Sequence, residues 1–206
     1  VNVRKIMAEN LEVIPGEEYK FSFKARIPSD AIPSFIGERI QTFYYIKVKV
    51  EIKWGIDREE IKEIIILQKP EKSEIIDYFA ELDSLVLGTK IKNVLFSGEE
   101  VEGSLVVMSK KDKEYLGIRV DIVRVEDIVK HNQKVERKIF SKRIKENIKL
   151  QAGSKEKMSF SIKIPENQAT FRTNVSATEY YVRIVFEKKY RLDKFIQIPI
   201  KILRTK

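Results

Sequence analysis

The stretch Phe21-Ser-Phe-Lys-Ala-Arg-Ile-Pro28, followed by Pro33-Ser-Phe35 and then by Tyr44-Tyr-Ile-Lys-Val-Lys-Val-Glu-Ile-Lys-Trp54, decides the fold. It reads as a strand closed by proline, a crossing loop and a long second strand. In that second strand Ile46, Val48, Val50, Ile52 and Trp54 alternate with Tyr45, Lys47, Lys49, Glu51 and Lys53. Alternation with one polar side describes a half-buried antiparallel strand. The pattern then returns. Phe160-Ser-Ile-Lys-Ile-Pro165 repeats Phe23 to Pro28 at an offset of 137 residues, and Phe171 and Tyr180-Tyr-Val-Arg-Ile184 answer Phe35 and Tyr44 to Val48 at an offset of 136. A β-motif repeated in this way implies two related antiparallel β-sandwich domains of immunoglobulin-like type.

Composition sets the bounds. The 206 residues are 43% hydrophobic, enough for real cores and too many for a disordered chain. There is no cysteine, which fits a reducing, cytoplasmic setting and excludes disulfides and thiol chemistry. No apolar run approaches the roughly 18 residues of a membrane helix. The formal charge is +9, with Lys and Glu closely interleaved. Such a mix is the compositional signal of heat-adapted proteins. The positive excess also allows attraction to anionic lipid headgroups or acidic protein tails, placing the protein in the cytoplasm and at the periphery of the membrane.

Along the chain, Leu11 to Ile14 and Tyr19 to Ile27 read as strands around the turn Pro15-Gly16-Glu17-Glu18. Ile40 to Trp54 and Ile61 to Leu67 follow as strands. Lys69-Pro70-Glu71-Lys72-Ser73 breaks the pattern, and Ser73 is placed to cap a short helix through Phe79 and Leu82. These features divide the chain into residues 1–70, a linker at 71–84, and residues 85–206. The second part carries strands at 85–87, 91–96, 101–107, 116–126, 135–140, 144–150, 158–164, 180–186 and 194–203, with Pro199 marking an edge or a bulge. It has several strand segments ahead of its copy of the repeat, while the first part has almost none. The first sandwich is therefore expected to be incomplete at its N-terminus and to be covered by a further N-terminal segment or a second chain. The aromatics Phe21, Phe23, Tyr44, Trp54, Phe160 and Tyr180 are expected in cores.

These residues resemble the arrestin fold. The marks are Gly98-Glu-Glu-Val101-Glu-Gly103, an aromatic strand ending in Ile-Pro (present twice), Pro33-Ser34-Phe35, and the Tyr-led strand running to Trp54. The second domain departs from the pattern, with Ala169-Thr170-Phe171 in place of Pro-Ser-Phe and no following Trp. The Lys/Ile/Glu bias points to a prokaryotic or archaeal relative. The resemblance implies a tandem of arrestin-type sandwiches acting as an adaptor or scaffold that binds protein tails or membranes without catalysis, in trafficking, signalling or regulation.

The residues themselves present no catalytic set. His131 is the single histidine and stands in a polar loop, without a Cys or Ser partner to activate. Glu17-Glu18, Glu59-Glu60 and Glu99-Glu100 are adjacent turn acids rather than facing ones. No metal cluster or phosphate-cradling glycine loop is present, so no cofactor or metal is expected. The candidate surface is the basic run Lys134, Arg137, Lys138, Lys142 and Arg143, suited either to guarding a sheet edge or to binding an anion. Nucleic acid is disfavoured, since no helical reading element or interleaved aromatic set accompanies these charges. The rival reading is a ligand-binding or enzyme-accessory sandwich, for example one that binds carbohydrate in a groove lined by Tyr45 and Tyr181.

Overall fold

The computed structural model describes residues 4–205, and the chain divides into one unit ending at Ala31 and another beginning at Ile32. The described part of the first unit carries turns and bends but no strand ladder. Its turn is the expected one: Gly16 takes φ +88°, Glu17 N–H donates to Ile14 O at 3.2 Å, and Tyr19 Oη accepts from Ile14 N–H at 3.1 Å. Phe21 and Phe23 are half exposed, against the expectation of core positions. Their alternation is correct for a strand, but a strand forms only where a second edge satisfies its backbone groups.

The second unit is built almost wholly of strands. They are β1 (Phe35–Ile36), β2 (Gln41–Thr42), β3 (Tyr44–Val50), β4 (Arg58–Ile64), β5 (Ile75–Leu82), β6 (Leu85–Lys92), β7 (Val94–Phe96) and β8 (Glu100–Ser109). There follow β9 (Lys113–Ile128), β10 (Gln133–Leu150), β11 (Lys155–Lys163), β12 (Phe171–Arg172), β13 (Ala177–Glu187) and β14 (Lys194–Leu203). A 3-10 turn at Val129–His131 is the helical element among the described residues. One sheet runs β10-β9-β13-β14-β7 with β12 on β13, and a four-stranded sheet runs β11-β8-β6-β5. Their inner faces form the core, in which Leu87, Leu105, Ile118, Val120, Ile122, Ile162, Val182, Ile184 and Ile198 are fully buried. The fold class expected from the alternation is therefore realised: an antiparallel β-sandwich with period-two burial. Gly98 makes the β7–β8 turn at φ +82°, a conformation that costs glycine nothing. Pro199 lies on β14 short of Lys201, where pairing with β7 begins, so its missing N–H faces an open edge.

Three expectations change. Residues 75–82 are a strand, not a helical turn within a linker: β5 pairs with β6 in unbroken register from Ile75↔Lys92 to Leu82↔Leu85. The β-branched and aromatic residues Ile75, Ile76, Tyr78 and Phe79 gain a ladder partner that outweighs a Ser73 cap. The long strand expected to reach Trp54 stops at Val50, because Asp57 Oδ1 accepts Ile52 N–H at 3.1 Å and closes a β3–β4 hairpin. Trp54 takes φ +64° in that hairpin's turn and is 96% exposed, rather than in a core. Tyr180 and Phe160 are buried as expected, and Tyr44 is half-buried.

Candidate functional site

The two copies of the repeat meet within the second unit. Phe35 and Phe171, related by the 136-residue offset, pack edge to face with ring centroids 5.4 Å apart and planes at 73°. The hydrogen bonds around them come in pairs at the same offset. Ser34 N–H donates to Ile66 O at 2.9 Å, and Thr170 N–H to Ile202 O at 2.7 Å. Ile66 N–H donates to Ser34 Oγ at 2.8 Å, and Ile202 N–H to Thr170 Oγ1 at 2.9 Å. Gln68 Nε2 reaches across to Thr170 O at 2.9 Å, and Arg204 Nη1 reaches back to Ser34 O at 2.6 Å. Tyr44 Oη donates to Ile32 O at 2.8 Å, and Tyr180 Oη to Gln168 Oε1 at 3.1 Å. These matched contacts define a pseudo-twofold axis between Phe35 and Phe171. Burial at this seam pushes the phenol of Tyr180 well above its ordinary range.

The symmetry breaks at one loop. Gly37 N–H donates to Ile40 O, and Thr173 N–H to Ser176 O, each at 2.8 Å, so the two turns share a backbone. In the second copy Thr173 Oγ1 accepts Val175 N–H at 3.2 Å and Ser176 N–H at 3.0 Å. Gly37 has no hydroxyl to do this. The Glu126 carboxylate, from β9, takes its place and accepts the N–H groups of Glu38, Arg39 and Ile40 at 2.9, 2.7 and 2.9 Å. A Cβ on Gly37 would stand 2.6 Å from both carboxylate oxygens, so the acid occupies the room that the absent side chain leaves. Glu126 is 1% exposed. A buried carboxylate is tolerated only when paired and hydrogen-bonded. Here the Arg124 guanidinium, Nη2 at 2.8 Å, completes the set. Arg124 also lies 5.6 Å from the Phe35 ring centroid and donates to Gln168 Oε1 at 3.2 Å.

The five cations singled out from the sequence do not form one anion site. All lie on β10, an edge strand. Arg137 belongs to the seam: its Nε and Nη2 hold the Glu38 carboxylate, and that hydrogen bond keeps Glu38 below the usual carboxylate range. Lys134 pairs with Asp127 at 3.4 Å, and Lys142 Nζ donates to Ser161 O at 3.2 Å. Arg143 pairs with Glu187 at 2.7 Å, beside an Arg119–Asp121 pair at 2.9 Å. Lys138 has no such partner among the described residues. His131 is exposed, and no cluster of potential metal ligands occurs among the described residues. The seam residues Gly37, Arg124, Glu126, Gln168 and Arg204 were not anticipated. For Arg124 and Glu126 the signal was charge set into an apolar strand, 118–128, which Arg119, Asp121 and Asp127 also interrupt.

Tyr45 and Tyr181, the aromatics of the carbohydrate reading, are not buried in cores. Tyr45 is 63% exposed on β3. Tyr181 is half-buried in a recess of about 250 Å³ lined by Thr170, Glu179, Tyr180, Pro199 and Ile200. That recess is smaller than the ~300–1,000 Å³ typical of small-molecule sites.

Comparison with known proteins agrees with this architecture. Residues 3–72 match the family model of the arrestin (or S-antigen) N-terminal domain. The crystal structure of Spo0M, a sporulation control protein from Bacillus subtilis, is similar at a TM-score of 0.50 and 21% identity, over 59% of this chain and 50% of that one. The chain thus spans about half the length of that structure. No curated protein matches the chain. The protein has an arrestin-like fold, of the arrestin-type β-sandwich class.

Proposed function

We propose that the protein is a non-enzymatic adaptor that holds protein partners on its exposed strands and sheet faces. The observation that carries this reading is where the buried charge lies. Glu126 and Arg204 bond across the seam, to the Glu38, Arg39 and Ile40 amides and to Ser34 O, while Arg124 braces Glu126 and Gln168 from behind and so fixes one β-module against another. Groups committed to joining two scaffolds are not free to act on a substrate. The fold family supports the same reading, since arrestin-like proteins are generally adaptors or regulators. The test is affinity capture with the intact protein, followed by reconstitution with each captured partner in purified form. Direct binding by a purified partner is the expected outcome. The reading fails if no partner reconstitutes while a small ligand raises the melting temperature.

A second reading, contact with a membrane surface, has its own observation. The β13–β14 turn presents Tyr190 and Leu192, each 90% exposed, among Lys188, Lys189 and Arg191. Apolar tips ringed by cations suit an anionic bilayer surface. On this reading the membrane-facing cations are those of the turn, in addition to the exposed run from Lys134 to Arg143. Flotation with phosphatidylserine-containing vesicles is expected to fall in Tyr190→Ser/Leu192→Ser and at high salt; binding that ignores both would refute it. A cytoplasmic location and a heat-adapted source go with this proposal on compositional grounds.

A further inference from the structure

The sheet edges of this molecule are not alike. β10 carries Lys134, Lys138, Lys142, Lys145 and Lys149, and β11 carries Lys155, Lys157 and Lys163, all exposed. The β3–β4 hairpin carries Lys47, Lys49, Arg58 and Lys62. β7 is three residues long, and β14 beyond it has Pro199. Lysines, prolines and short lengths are the devices that stop a strand edge from recruiting another. β5 has none of them. It is an eight-residue edge strand, Ile-Ile-Asp-Tyr-Phe-Ala-Glu-Leu, with no Lys, Arg, Pro or register break. Its outward face is apolar at Ile75, 72% exposed, and at Phe79, 75% exposed. Phe79 lies against β6 at Gly88, where a Cβ would meet the ring at 3.2 Å. No backbone hydrogen bond of residues 75–82 outside the β5–β6 ladder occurs among the described residues.

We infer that β5 is the contact surface for a second copy of this chain, paired antiparallel about a twofold axis at Tyr78. The result is a continuous eight-stranded sheet built from two copies of the β11-β8-β6-β5 order. The sequence of β5 is self-complementary in this register and not in its neighbours. With Tyr78 on the axis, Asp77 faces Phe79 of the second copy, Ile75 faces Glu81, and Ile76 faces Ala80. No like charges stand opposite each other. Ile75 and Phe79 of both copies fall on adjacent diagonals, where aromatic side chains reach one another. A shift to centre on Phe79 sets Asp77 against Glu81, and a shift to centre on Asp77 sets that acid against itself. A single-residue slip would oppose inward and outward faces. Asp77 and Glu81 are already paired within the chain, with Lys90 at 3.3 Å and Lys110 at 3.1 Å, so neither acid needs a cation from a partner. An isologous contact of this kind closes on itself and stops at two copies.

Sedimentation equilibrium of the purified chain tests this. A species of twice 24.2 kDa is expected, with Phe79→Lys and Ile75→Lys each weakening self-association at least ~30-fold. Both sites are exposed, so far-UV dichroism should be retained and will separate lost pairing from lost folding. The absence of cysteine gives a test of register. Asp77→Cys and Phe79→Cys, purified separately and mixed, should form a disulfide-linked heterodimer, because directly opposed residues are ~4.5–5.5 Å apart at Cα, within disulfide range. Neither variant alone should cross-link efficiently. A chain that is monomeric at every concentration, as expected if β5 serves a strand from another protein, overturns the inference. So does a dimer that survives Phe79→Lys, or a mixture that does not cross-link.

Discussion

Replacing Glu126 with Gln puts the seam to the test. The change is nearly isosteric, so it leaves the packing and removes only the charge and one acceptor. At present one carboxylate satisfies three backbone N–H groups at 2.7–2.9 Å and a guanidinium at 2.8 Å. A carboxamide oxygen cannot serve all of these donors, and its NH2 group turns two protons toward them. Arg124 is left buried without its counter-charge, and it already has one unpartnered nitrogen, Nε. Breaking a buried ion pair by removing one member costs about 3–5 kcal/mol. At about 2–4 °C per kcal/mol for a unit of this size, the melting temperature should fall by ~10 °C. Urea denaturation would give the free energy, and amide hydrogen exchange would give the location. Protection at Glu38, Arg39 and Ile40 should be lost while the β9–β13 ladder keeps its own. In Arg124→Met/Glu126→Gln the loss should be smaller than the sum of the single changes by about 1–3 kcal/mol, since the groups act as one unit. A Glu126→Gln loss under ~1 kcal/mol with the 38–40 amides still protected would refute this account of the seam.

Three other outcomes follow from the same geometry. Phe35→Ala removes the edge-to-face partner of Phe171 and the ring beneath Arg124, and should cost about 3–5 kcal/mol in urea unfolding, though the site belongs to a smaller cluster than the main core. Gly103→Ala sets a Cβ 2.3 Å from the Phe160 ring and should destabilise by about 1–3 kcal/mol by forcing that ring to shift, whereas Gly16→Ala meets no atom within 4 Å and is opposed only by its φ of +88°. The phenol of Tyr180 is raised above its ordinary value of 10.0 by burial, so its contribution is complete below pH 10 and is lost as pH climbs through the folded value. Melting temperature should therefore decline above pH 10, less steeply in Tyr180→Phe.

Much of the fold was legible. Period-two alternation in Ile118–Ile122 and Tyr180–Phe186 gave the inward faces correctly, because burial on one side of a sheet leaves no other solution. The repeat was legible too, down to Phe35 and Phe171. Other segments were misread where alternation met no partner. Phe21, Phe23 and Trp54 have core-like sequence surroundings but no covering layer among the described residues, and periodicity carries no information about what lies opposite. β5 was misread for the converse reason, since a serine cap and a proline outweighed β-branched residues whose partner β6 was already in the chain. The basic run was found, yet its role was not. Arg137 and Arg143 are answered by Glu38 and Glu187, acids 99 and 44 residues away in the chain.

The sequence by itself determined the class of fold, the duplication and the alternation of buried and exposed side chains, because each follows from spacing along one strand. Only the tertiary structure decided that the two copies of the repeat face each other across Phe35 and Phe171. It also decided that the room left by Gly37 is filled by a carboxylate from β9. These are contacts between residues 86 and more apart. Their energy comes from burial and from the meeting of three N–H groups with one charge, neither of which exists until the chain has folded.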